Sequence, residues 1–238
     1  MSGPEVIVTP DESHLVSALA QAVAEVLASP GRHDLVVTGG GVGTEVLAAL
    51  VQPAPAIDWS MVHIWWGDER FLPEGHVDRN ETGARAALLD HVPIPASNVH
   101  PMPADRGQGV TEAARSYADE LARHSAHGFV PDFELLLLGM GPEGHVASLF
   151  PGMPALHAST STVAITDSPK PPPVRVSLTL AAIRSARQVW IGAAGSSKTD
   201  AAARAADPQT NVVDCPAAGA RGRDATLLWL DAAAAAAL

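Results

Sequence analysis

Glu143 and His145 stand two residues apart in the run LLLLGMGPEGHVASLFPG, Leu135 to Gly152, where an apolar strand empties into a glycine turn. An imidazole that titrates near neutral pH, beside a carboxylate able to orient it, is a pair suited to general acid–base chemistry. Four leucines with Phe133 before them leave no polar face, so the strand is expected at the centre of a sheet covered on both sides. Gly139, Gly141 and Gly144 allow close backbone approach or positive φ, and Pro142 stiffens the turn. The pair therefore falls just past a strand's carboxyl end, where ligands bind in open α/β sheets.

Other segments put charge or free backbone N–H groups at comparable places. Thr38, Gly39, Gly40, Gly41, Val42 and Gly43 form a glycine loop before a helix, a setting that favours an anion such as phosphate. In HIWWGDERFLPEGHVDRN, Asp68, Glu69 and Arg70 follow an aromatic, apolar strand and belong at the sheet rim; the alternative, a solvated loop with internal ion pairs, weighs most for Glu69. The Arg70 guanidinium offers a planar fork for an oxyanion. Gly195, Ser196 and Ser197 cap a further helix with Lys198 in its first turn. A cation is disfavoured there unless an anion binds beside it, which makes Lys198 a phosphate candidate.

Absences narrow the chemistry. Gly139 to Gly144 satisfies G-x-G-x-x-G, but Pro151 and Gly152 halt any helix early and no acidic residue follows at the ribose spacing, so a dinucleotide site is not expected. The glycine loop lacks the Gly-Lys-Ser/Thr of a nucleoside triphosphate loop, and no G-x-S-x-G elbow exists. The ten histidines are scattered, with no H-E-x-x-H or Cys/His spacing, so neither metal nor cofactor is expected. A net charge of −11 argues against nucleic acid as a partner. The single cysteine, Cys215, fits a reducing compartment, and no signal or membrane-spanning pattern is present, so a cytoplasmic protein is expected.

The positioning elements follow from periodicity and caps. A strand at Val6–Val8 leads to a helix with Thr9 as N-cap and Pro10 at its first position, running to Ala28. Asp34–Thr38 is a strand, and Thr44–Val51 a helix closed by Pro53. Strands are expected at Met61–Trp66, Phe133–Leu138, Val163–Thr166, Arg175–Leu180, Gln188–Ala193 and Thr226–Leu230. Helices are expected at Glu81–Asp90, Thr111–His127 and Ser196–Ala206, and the alanine-rich residues 231–238 are expected as a short helix or frayed tail without functional meaning. This alternation predicts one α/β domain over residues 1–238: an open, mostly parallel, doubly wound, Rossmann-like sheet with helices on both faces.

Taken together, TGGG, WWGDERFLP with Asn80 after it, LLGMGPEGHVASLFPG, KPPPVRVSLTL and GSSKTDAA resemble the 6-phosphogluconolactonases, in that order along the chain. These belong to a wider family with the glucosamine-6-phosphate deaminases and isomerases. The resemblance runs from about Val6 to Leu230 and implies hydrolysis of 6-phospho-D-glucono-1,5-lactone to 6-phosphogluconate, without a cofactor. It implies His145 as the base acting on water, Glu143 as its orienting acid, and Arg70 at the oxyanion or sugar hydroxyls. Thr38, Gly39, Gly40, Gly41, Arg175 and Lys198 would hold the phosphate, with Asp68 and Asn80 completing the substrate site. Partners beyond this small molecule are not implied, and the protein is expected as a monomer or small homo-oligomer.

Departures from the family pattern accompany the match. The usual Ser-Gly-Gly-Ser loop loses a hydroxyl at Gly41, and the usual Asp-Gly-His stands here as Glu143-Gly144-His145, one methylene longer. The deaminase branch follows its histidine with a glutamate partner where this chain has Leu149-Phe150-Pro151-Gly152. A deaminase or isomerase, and a non-catalytic sugar-phosphate binding module, are the alternatives.

Overall fold

The computed structural model describes residues 3–52 and 56–238, so the helix stop at Pro53 lies outside the described residues. Seven strands form one parallel sheet: β1 (Glu5–Thr9), β2 (His33–Val37), β3 (Val62–Trp66), β5 (Val99–His100), β6 (Phe133–Gly139), β9 (Gln188–Ala193) and β10 (Ala225–Asp231). Their order is β1-β10-β9-β6-β2-β3-β5, which puts the leucine-rich β6 at the centre, as its unbroken apolar run predicts. Leu135 and Leu136 are fully buried.

The helices are α1 (Glu12–Leu27), α2 (Gly41–Ala49), α3 (Asn80–Ala84), α4 (Val110–Arg123), α5 (Leu180–Ile183), α6 (Thr199–Ala206) and α7 (Pro216–Gly219). Buried Leu15, Leu19, Val23 and Leu27 on α1 recur at helical spacing and seal it onto the sheet. Among the described residues no helix is long and apolar enough to cross a membrane. The α/β, Rossmann-like architecture is the one expected from the alternation of elements.

Several local expectations need correction. Asp11, not Thr9, caps α1: its carboxylate accepts from the His14 N–H at 2.9 Å, while the Thr9 hydroxyl turns to the Leu230 carbonyl across the sheet. The segments near Val163 and Arg175 do not extend the parallel sheet. They become β7 (Thr162–Ile165) and β8 (Arg175–Leu178), antiparallel to each other, with β4 (Asp68–Arg70) joining β8 to complete a second, three-stranded sheet. The Asp-Glu-Arg stretch expected as a loop is thus strand, pairing Asp68 with Ser177 and Arg70 with Arg175. Likewise the helix begun at Asn80 widens into a π turn over Arg85–Leu89.

Candidate active site

A cleft of about 400 Å³ opens where the carboxyl ends of β2, β6 and β9 meet the small second sheet. Thr38, Gly39, Gly40, Gly41, Asp68, Arg70, Asn80, His145, Arg175 and Lys198 all line it. Glu143 does not itself line the cleft but touches two residues that do, His145 and Lys170.

The glycine loop contributes more helix than expected. α2 starts at Gly41 rather than Thr44, because Gly40, at φ 89°, turns the chain without a side chain and serves as N-cap. The first intrahelical bond comes from the Thr44 N–H to the Gly40 carbonyl, 2.9 Å, and no side chain caps the end. The N–H groups of Gly41, Val42 and Gly43 therefore stay without intrahelical acceptors at the cleft, with the positive end of the helix dipole behind them. Gly39 is required for a different reason: a Cβ there would overlap the Asn80 side-chain amide.

His145 is held between an acid and an aromatic ring. Its Nδ1 lies 3.0 Å from Glu143 Oε1, close but poorly directed for a hydrogen bond, so this buried nitrogen lacks a well-aligned partner. The Phe150 ring stacks on the imidazole at 4.3 Å between centroids. Gly141 packs directly beneath: a Cβ would overlap the imidazole and come within 2.7 Å of Glu143 Oε2. Burial, aided by the Lys170 charge and opposed by Glu143, holds the His145 pKa below the usual histidine value, so the ring is neutral at pH 7. Burial works against ionisation of Glu143. Its own backbone N–H and Lys170, 3.0 Å away, outweigh that penalty and keep the carboxyl below its ordinary range.

No helix follows β6. The chain instead makes a tight turn between Val146 and Leu149, with Ala147 at φ 49°. A non-glycine residue in that region is strained, and here the turn aims the following N–H at Ser177 and seats Ser148 against Asp68. The turn before it is pinned by Arg204, donating to the Glu143 carbonyl at 3.1 Å, and by the Ala217 N–H on the Gly144 carbonyl at 2.9 Å.

The second sheet fixes the cationic wall. Asp68 accepts from Ser148 Oγ at 2.6 Å and from Asn80 Nδ2 at 3.2 Å, and lies 3.8 Å from Arg175. Arg70 donates to the Asp78 carbonyl at 2.6 Å, while its buried Nε has no partner among the described residues. Arg175 donates to the carbonyls of Pro172, Lys170 and Pro171 and approaches Ser148. Glu69 is not solvated. At 1 % exposure it accepts the N–H groups of Arg70, Asn80 and Glu81, and Arg79 lies 3.6 Å away. Burial pushes its carboxyl up to about 7, against those donors and the Arg79 charge.

Lys198 ends a 3₁₀ turn, Ser196–Lys198, that precedes α6, and neither serine caps the helix. It makes no ion pair among the described residues, and burial with the nearby Lys170 charge lowers its pKa. The C-terminal tail holds this turn in place. The Asp231 carboxylate accepts from the Gly195 N–H at 3.0 Å and the Ala234 N–H at 2.7 Å, and the Thr199 hydroxyl donates to the Ala233 carbonyl. The tail is docked, with Ala234 fully buried, rather than frayed.

Sequence reasoning missed Lys170, Ser148 and Glu12, the first and last of which line the cleft. Lys170 sits in a proline-rich stretch with no periodic signal, and only the antiparallel pairing of β4 with β8 brings it across from Glu143. The histidines are not all scattered either. His63, His100 and His124 meet at the far edge of the parallel sheet, because β3 and β5 pair in register and α4 ends beside them.

The family model described as glucosamine-6-phosphate isomerases/6-phosphogluconolactonase matches residues 10–229. A 6-phosphogluconolactonase of Streptomyces coelicolor is 49 % identical over 98 % of this chain and 94 % of its own length. One from Mycobacterium tuberculosis is 48 % identical over 96 % of each. Among solved structures, a 6-phosphogluconolactonase from Shewanella baltica superposes with a TM-score of 0.79 at 27 % identity, covering 98 % of both chains. The chain belongs to the glucosamine-6-phosphate isomerase/6-phosphogluconolactonase family.

Proposed function

We propose that this enzyme hydrolyses 6-phospho-D-glucono-1,5-lactone to 6-phospho-D-gluconate by general-base activation of water, the second step of the oxidative pentose phosphate pathway. The family joins two chemistries on one fold, so the choice between them rests on the site. The observation that carries the reading is His145, stacked on Phe150 and flanked by Glu143, at the wall of a cleft that gathers Arg70, Lys170, Arg175 and Lys198. Four cations in one cleft of a chain with net charge −11 point to an anionic substrate.

In this mechanism the free N–H groups of Gly41 to Gly43 and the Lys198 ammonium bind the 6-phosphate, with Thr38, Gly39 and Gly40 shaping the cradle. Arg175 contributes charge at the wall and holds the Lys170–Pro172 backbone. His145 takes a proton as water oxygen bonds to C1, while Glu143 stabilises the imidazolium that forms. Arg70 faces the negative charge that develops on the carbonyl oxygen, and Asp68 and Asn80 orient the sugar hydroxyls. When the tetrahedral intermediate collapses, the C1 bond to the ring oxygen breaks and the imidazolium returns its proton to that oxygen. The product is an open-chain acid. A δ-lactone is a reactive ester, so positioning, one base and one cation suffice.

Phe150 argues against deamination or aldose–ketose isomerisation. Its ring covers the imidazole face, and it offers no carboxylate to relay the protons that ring opening requires. The reading also takes the chain as one domain and a monomer or small homo-oligomer acting in the cytoplasm, a reducing compartment that the single free Cys215 fits. The test supplies the purified enzyme with freshly made lactone and, separately, glucosamine 6-phosphate. Accelerated acid release from the lactone alone supports the proposal; ammonia from the amino sugar without lactone hydrolysis overturns it.

A further inference from the structure

The histidine cluster at the sheet edge lies apart from everything used above. His63 is on β3, His100 is its neighbour on β5, and His124 caps the C-terminal end of α4. One ligand atom from each lies within 4.8 Å of the others. Asp68, the nearest cleft residue along the same stretch of chain, is five residues beyond His63, about 16 Å at strand rise.

The hydrogen bonding within the cluster turns an imidazole lone pair inward, toward the other rings. His63 Nδ1 and His100 Nε2 face each other at 3.0 Å. Glu120 Oε1 lies 3.1 Å from His100 Nδ1 and 3.2 Å from His124 Nε2. A carboxylate can only accept, so His100 carries its proton on Nδ1 and points a bare Nε2 toward His63. An imidazole whose second nitrogen donates to a carboxylate is the arrangement that orients metal-ligating histidines.

We propose that His63, His100 and His124 form a binding site for one divalent transition-metal ion of the Zn²⁺ class. Imidazole nitrogens suit such ions, and three of them leave a fourth position for water. Ligand nitrogens around tetrahedral zinc stand about 3.3 Å apart, so the 3.0 Å pair needs only slight spreading. The Trp65 indole stacks on the His100 ring at 3.9 Å and 7°, which fixes its direction. His124 is 29 % exposed, an entry path for the ion.

Nearby charges balance: Asp34 pairs with Arg32, and Glu120 with Arg123, so affinity rests on the imidazoles. The ligands come from three elements, and one of them, β5, is a two-residue edge strand. The bound ion ties α4 and that edge to β3 and acts on stability rather than on the reaction.

The experiment strips the purified enzyme with a chelator and titrates it with Zn²⁺ by calorimetry, and with Co²⁺ followed by visible absorption. The expected result is one ion per chain at low-micromolar affinity or tighter, an intense tetrahedral Co²⁺ spectrum and a higher unfolding temperature. His63→Gln and His124→Ala, both at partly exposed positions, each weaken binding by about tenfold or more, and the double variant abolishes it. Far-UV circular dichroism and unchanged lactone turnover establish that these variants are folded. Failure of the folded wild type to bind Zn²⁺, or binding that survives in the folded double variant, overturns the proposal.

Discussion

Replacing Gly141 by alanine is the sharpest test of how the acid–base pair is built. The backbone tolerates the change, since Gly141 does not adopt positive φ. The new methyl group, however, occupies the space of the imidazole and stands 2.7 Å from Glu143 Oε2. To reach ordinary van der Waals contact the carboxylate alone must retreat by about 0.7 Å, and His145 by more. A displacement near 1 Å at a reacting group costs about 10²-fold in rate. The phosphate cradle at Gly41–Gly43 and Lys198 is untouched, so kcat should fall by about that factor with KM within a few-fold. The assay couples freshly generated lactone to 6-phosphogluconate dehydrogenase and subtracts spontaneous hydrolysis. Gly83→Ala provides the comparison, because nothing lies within 4 Å of its added Cβ on α3. That variant should keep full turnover and gain about 0.5 kcal/mol in stability. Wild-type kcat in Gly141→Ala, or a loss carried by KM alone, would refute the packing argument.

Other expectations follow from the same geometry. The kcat/KM profile should fall on the acid side as His145 protonates, with an apparent pKa below 6.5. Glu143 favours the imidazolium, so Glu143→Gln should move that limb to still lower pH and reduce kcat; a shift to higher pH would contradict the pairing. Lys198→Ala should raise KM for the phosphorylated lactone and leave hydrolysis of the dephosphorylated lactone unchanged, which steady-state kinetics on both substrates would check. Glu69→Ala leaves the fully buried Arg79 with Glu81 as its remaining carboxylate and orphans three backbone donors. It should cost about 3 kcal/mol, a fall of about 6–12 °C in Tm for a chain of this length; a drop under about 2 °C would show that the carboxylate does not hold the guanidinium.

Much of this site was legible in the chain because its pieces are local. A glycine loop after an apolar strand, and an acid and a histidine two residues apart in a turn, keep their meaning wherever the strand lies in the sheet. What the sequence hides is pairing over distance. Glu69 looks like one more charge in a polar run; its burial comes from the fold of residues 70–81 back over it, which brings three N–H groups to one carboxylate. Lys170 and the small antiparallel sheet depend on β4 meeting β8 more than a hundred residues later. The alanine tail has no pattern to read, yet Asp231 makes it the clamp on the Lys198 turn. The three gathered histidines come from β3, β5 and the end of α4, with no motif spacing to announce them.

The central claim is that His145 acts as the base on water in lactone hydrolysis. Its most direct measurement is dehydrogenase-coupled turnover of fresh 6-phosphogluconolactone by wild type and His145→Ala side by side, with circular dichroism to establish that both are folded. The account predicts clear acceleration over spontaneous hydrolysis by wild type and a loss of about two to four orders of magnitude in kcat in the variant, with KM little changed. Undiminished turnover by folded His145→Ala would contradict it.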